Sequence, residues 1–120
     1  AKFDRYIRNP GEFLSYHFSL WASPYALPRR SSNLRKNGRF LLLSAGDDRI
    51  QPAGRGPHRI RVLKAGPRLA AEVNGVTVID HVEDPAVSGP VLEGGHAGFR
   101  LMGFSKWCSL GNLSVSPVRD

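Results

Sequence analysis

Between Glu12 and Asp47 the chain carries no acidic side chain. The middle of that window reads Arg29-Arg30-Ser31-Ser32-Asn33-Leu34-Arg35-Lys36-Asn37, four cations among two amides and two hydroxyls. A solvated basic loop would account for a lone charge run. Cations interleaved with amides and hydroxyls also suit an anionic or richly hydroxylated partner. Cysteine is nearly absent as well. The single Cys108 excludes an internal disulfide and any cysteine-rich metal site. Its apolar strand setting marks it as an inert core thiol. No apolar run approaches the roughly 20 residues that span a bilayer, so no membrane partner is expected, and no signal peptide is visible. A chain that starts at Ala1 reads as a processed or excised product, or as one lacking its beginning. Cytoplasmic and secreted sites both stay open.

Signatures of common chemistries are missing too. Neither G-x-x-x-x-G-K-[ST] nor G-x-G-x-x-G occurs, which argues against nucleotide binding through a phosphate loop. His17, His58, His81 and His96 are scattered without metal-ligand spacing. No nucleophile elbow supports a Ser-His-Asp site. Glycoside hydrolysis normally needs two carboxyl groups about 5–10 Å apart. Glu72 and Asp80 each stand alone on their strands, so that chemistry is disfavoured for these residues. No cofactor is expected. Structural calcium is the one metal left open, through Asp47-Asp48 or Asp80 with Glu83-Asp84. Neither group matches a defined calcium loop, and solvated turn acids are the expected reading.

What is present describes a folding chain. A length of 120 residues fits one domain with one modest core, read as residues 1–120. Hydrophobic content of 41% with 22% charge excludes a disordered tail. The net charge of +7 favours polyanions such as acidic polysaccharide or nucleic acid.

The pattern predicts an all-β fold. From Phe13 to Trp21, Leu14, Tyr16, Phe18 and Leu20 alternate with Ser15, His17, Ser19 and Trp21, a half-buried strand with a polar second face. Ser23 to Asn37, with two prolines and the basic cluster, reads as a long excursion. Arg39 to Ala45 suits a central strand. Further strands are predicted over His58–Lys64, Arg68–Val73, Val76–Asp80, His96–Met102 and about Cys108–Val115. Asn74-Gly75 is a strong hairpin signal, because a type I′ turn needs two residues at positive φ. Sequential hairpins of this spacing indicate an antiparallel β-sandwich or barrel, with no helix of ordinary length.

The combination of motifs resembles a known family. Arg30, Asn33-Leu34-Arg35-Lys36-Asn37, Phe40, and Gly46, Asp48 and Ile50 form its first part. Gly56 to Lys64, Val73-Asn74-Gly75, Gly94 to Met102, and Asn112-Leu113 with Val115 continue it. The chain is thereby similar, from about Tyr16 onward, to the C-terminal part of the YesU-like proteins of the concanavalin A-like lectin/glucanase superfamily. Gly38-Arg39 departs from the aromatic or proline with glycine found more often before the phenylalanine. The resemblance implies a jelly-roll sandwich of two antiparallel sheets whose concave face holds a saccharide. It also implies a larger jelly roll incomplete here at its N-terminus, since such folds need about half as many residues again. A half-sandwich would pair with a second chain or with a copy of itself. Genes of the family typically lie beside those for polysaccharide breakdown.

Two classes of function follow. In the first, a poly- or oligosaccharide is bound without chemistry. Trp21 stacks on a sugar face, and Arg30, Asn33, Arg35, Lys36 and Arg100 bind hydroxyls or a uronate carboxylate. In the second, the chain is a lyase or glycosidase acting on acidic polysaccharide. In β-elimination Arg30, Asn33 and Arg35 would neutralise the uronate, and the catalytic proton carrier would be His17 or Tyr16. A basic nucleic-acid-binding β-domain is the third alternative. It ranks below the others because exposed aromatics are too few for a stacking platform.

Overall fold

A computed structural model describes residues 14–19, 32–37, 41–45, 57–99 and 110–118. These residues form two three-stranded antiparallel sheets and almost no helix. The first sheet has the order β1 (Tyr16–Ser19), β2 (Asn33–Lys36), β3 (Leu41–Ala45). The second has the order β4 (Ile60–Ala65), β5 (Arg68–Val73), β6 (Val76–Val82). One helical turn, α1 (Pro85–Ser88), follows. Asp84 caps it by accepting from the Ala86 amide at 3.0 Å, and Pro85 starts it where no N–H is needed.

The predicted hairpin forms where the turn chemistry required it. Asn74 and Gly75 take φ of +52° and +80°, the positive pair of a type I′ turn. The Asn74 side chain accepts from the Arg59 amide at 2.9 Å, and its own amide N–H donates to the Arg59 carbonyl at 2.8 Å. The tip of the β5–β6 hairpin is thereby tied to the entry of β4.

The sheets share one apolar cluster. Leu34 comes from the first sheet and Leu69, Ala71, Val78 and Ile79 from the second, with Tyr16, Phe18, Leu43 and Val73 packed around them. Full burial of Leu34, Leu69 and Ile79 contributes about 1.5–3 kcal/mol each. Both sheets carry a register shift, between Leu34 and Arg35 and between Ala71 and Glu72. The second leaves Val78 as an extra residue, so Val78 and Ile79 both enter the core.

Three sequence expectations need correction. The run expected as a central strand over Arg39–Ala45 gives β3, which among the described residues is an edge strand. Residues 33–36 are no part of a loop: they form the central strand of the first sheet. The apolar alternation that would have revealed this is broken by a buried lysine, Lys36, standing where an apolar residue is normally expected. The strands expected over His96–Met102 and Cys108–Val115 are not formed in their described parts, residues 96–99 and 110–115. Alternation prepares a strand, but a strand exists only when a neighbour takes its backbone hydrogen bonds. Asp47 and Asp48 lie outside the described residues.

Candidate functional site

The β1–β2 pairing brings one set of polar side chains together. His17 lies directly opposite Arg35, and Ser19 opposite Asn33. One step further along, the Asn37 amide N–H donates to the Ser15 carbonyl at 2.8 Å, and Asn37 Nδ2 donates to Ser15 Oγ at 2.9 Å. Side chains alternate across a strand, so Ser15, His17 and Ser19 share a face with Asn37, Arg35 and Asn33. The result is a ladder of three polar cross-strand pairs. It holds a cation, an imidazole, two amides and two hydroxyls, with no carboxylate. His17, Ser19, Asn33 and Arg35 are half-buried. Asn37 is buried, and its Oδ1 has no hydrogen-bond donor among the described residues.

The opposite face of the same two strands carries a second polar group of different character. Tyr16 lies opposite Lys36 in register, and both turn toward the second sheet. Lys36 Nζ and the Tyr16 hydroxyl each donate to Glu83, one to each carboxylate oxygen. Ser88 Oγ donates to the same Oε1 at 2.7 Å. Lys36 Nζ also reaches the Pro90 carbonyl at 2.6 Å and that of Gly89 at 3.3 Å. The Tyr16 oxygen accepts from the Leu92 amide at 2.9 Å. The Glu83 side chain is wholly buried and that of Lys36 nearly so. The network ties both strands to the α1 segment.

Electrostatics follow the geometry. Burial by itself would raise the Glu83 carboxyl, but hydrogen bonds from Lys36, Tyr16 and Ser88 outweigh it and hold the group below the usual glutamate range. Burial, and then the bond to the Glu83 carboxylate, push the Tyr16 phenol up to about 12. The Lys36 and Lys64 ammonium groups lie 5.6 and 5.4 Å from the centre of the Tyr16 ring, within cation–π range.

The residues expected at the site therefore divide. His17, Asn33 and Arg35 come together on the polar ladder. Tyr16 and Lys36 belong to the other face, where Glu83 holds both, so Tyr16 and His17 cannot serve one substrate from the same side of the sheet. Trp21, Arg30 and Arg100 lie outside the described residues. Ser15 and Asn37 were missing from the expected set, although the β1 alternation had already put Ser15 beside His17. Asp80, Glu83 and Asp84, the described acids among the calcium candidates, have other roles. Asp80 receives two bonds from Arg68, at 3.0 and 2.9 Å, which hold its carboxyl low; Glu83 binds Lys36, and Asp84 caps α1. Among the described residues no three His, Cys, Asp or Glu side chains gather as a metal site. No described helix is long and apolar enough to cross a membrane.

Fold and site define an all-β, sandwich-like domain with a polar ladder on one sheet. The chain belongs to the family described as a domain of unknown function, DUF1961, whose model matches residues 7–112. It is 31% identical over 96 residues to the uncharacterized protein YesU of Bacillus subtilis (strain 168). That match takes in 77% of this chain and 44% of YesU, so the chain spans less than half the length of this relative. No solved structure matches the chain.

Proposed function

We propose that this is a carbohydrate-binding domain of the concanavalin A-like jelly-roll type. It holds a hydroxylated or uronate-bearing glycan along the polar ladder of the first sheet. The observation that carries the proposal is the register setting His17 opposite Arg35 and Ser19 opposite Asn33. Arg35 offers a planar fork to a carboxylate, while Asn33, Ser19 and His17 offer donors and acceptors to hydroxyls. Trp21, Arg30 and Arg100 lie outside the described residues and enter the proposal from the sequence only, as stacking and charged groups.

A second reading rests on one of the same pairs. An imidazole beside a guanidinium has the parts for β-elimination from a uronate: Arg35 stabilises the carboxylate and His17 takes the C5 proton. Tyr16 drops out as proton carrier, since its hydroxyl faces Glu83 with the phenol pushed up to about 12. Binding ranks ahead because no geometry here requires a reaction.

A glycan panel of neutral and uronate oligosaccharides tests both readings. Titration should give micromolar to millimolar binding that Arg35→Ala abolishes, with no rise in the absorbance of unsaturated product. Product formation lost in His17→Ala would establish the lyase. Binding to oligonucleotides alone, with a steep salt slope, would replace both with the nucleic-acid reading.

A further inference from the structure

The inner face of the second sheet extends beyond its cover. Ile60 pairs with Val73, Val62 with Ala71, and Val73 with Val76. Directly opposed residues share a face, and Ala71 and Val73 belong to the core cluster or pack against it. Ile60, Val62 and Val76 thus point the same way as the core, yet they are 52%, 51% and 54% exposed. Leu69, farther along the same face, is fully buried by contrast. Among the described residues β4 is also an edge strand, with one row of backbone donors and acceptors unpaired. Two further segments alternate as strands without pairing. Phe99 is 53% exposed, and Leu113 and Val115 are 67% and 80% exposed around Ser114.

We propose that the β4 edge with Ile60, Val62 and Val76 is a docking surface for added β-strands, supplied by polypeptide corresponding to the part of YesU that lies outside the match. Three observations choose this occupant. An open edge beside bare core-facing side chains is completed by a strand, which satisfies backbone and apolar face together. In their described parts, residues 96–99 and 110–115, two strand-patterned segments form no strand and leave further backbone groups for a strand to satisfy. The matched region makes up only 44% of YesU, so a relative carries more polypeptide outside the match than inside it. Charge sets the pattern of the incoming strand. Arg59 and Arg61 alternate with Ile60 and Val62, and with Glu72, Asn74 and Gly75 they line a cavity of about 520 Å³ on the outer side. A docking strand places apolar residues toward Ile60 and Val62 and acidic ones toward the arginines. A second copy of the chain fits poorly. Pairing β4 with β4 would crowd four arginines on one face, between two chains each carrying +7. This surface lies on the other sheet from the polar ladder and stands apart from the glycan reading.

The test tiles the unmatched part of B. subtilis YesU with overlapping labelled peptides of about 15 residues. Fluorescence anisotropy follows their titration with the 120-residue chain. At least one contiguous block of peptides should bind. Val62→Lys should weaken it by about tenfold or more. Arg59→Glu, at an exposed position with no acid opposite, should weaken it too without touching the apolar face. Both variants should keep the melting temperature of the parent, because the replaced side chains are exposed. Absence of binding by every block would overturn the proposal. So would unfolding of Val62→Lys, which would mean that this chain already covers the face. A concentration-dependent dimer in light scattering, abolished by Val62→Lys, would give the surface to a second copy instead.

Discussion

Glu83 concentrates the residue-scale energetics, because one buried carboxylate answers Lys36, Tyr16 and Ser88 together. Its folded pKa lies below the ordinary 4.5, so its contribution is fully present above that pH and is lost as pH falls through the folded value. Urea unfolding should therefore show stability holding down to the mid-fours and declining below. Glu83→Gln should flatten that acid limb and cost about 3–5 kcal/mol near neutrality, since Lys36 is left as a buried unpaired charge. Tyr16 works in the opposite sense. Its phenol is raised from 10.0 to about 12, so the stability it contributes is complete below 10 and lost as pH rises through 12. Tyr16→Phe should remove this alkaline decline and lower stability at neutral pH by about 1–3 kcal/mol, the cost of stranding the Leu92 amide and one Glu83 oxygen. An unaltered unfolding curve from pH 7 to 12 would exclude the role given to the hydroxyl. None of this was legible in the sequence. Lys36 stands inside a basic run, and its carboxylate partner Glu83 is 47 positions away in the chain.

At the scale of elements, local chemistry was decisive where it was strong. The Asn74-Gly75 turn formed as its residues required, and β4, β5 and β6 fall close to the alternating runs that predicted them. Gly75→Ala should destabilise the β5–β6 hairpin by about 1–2 kcal/mol, because φ of +80° puts a Cβ against the following carbonyl. Chemical denaturation measures this, and an increase in stability would contradict the turn assignment. The β2 strand was missed because Leu34 is the one buried apolar residue in it. The strands expected near Phe99 and Leu113 show the converse failure. Pattern was present there, and in the described parts pairing was not.

For the whole molecule, the excess of cations is the property that a glycan would feel first. At +7 the chain should prefer a uronate oligosaccharide to a neutral one of equal length at low salt. Raising the ionic strength to about 1 M shortens the Debye length to about 3 Å and should remove most of that preference while leaving hydroxyl contacts in place. Calorimetric titration of both sugars at two salt concentrations decides this. Equal affinities at low salt would mean that Arg35 and its neighbours do not read charge. The same excess bears on assembly, since a positively charged edge strand repels its own copy and attracts an acidic one.

Sequence alone determined the all-β class, the β5–β6 hairpin and the alternating faces of β1, all from interactions spanning a few residues. Tertiary structure decided which part of the basic run meets which partner. The β1–β2 register sets Arg35 beside His17 on one face and turns Lys36 to Tyr16 and Glu83 on the other. The reason is physical. Alternation assigns neighbours in sequence to opposite faces, but the occupants of each face come from distant strands whose pairing is chosen by the packing of the whole core.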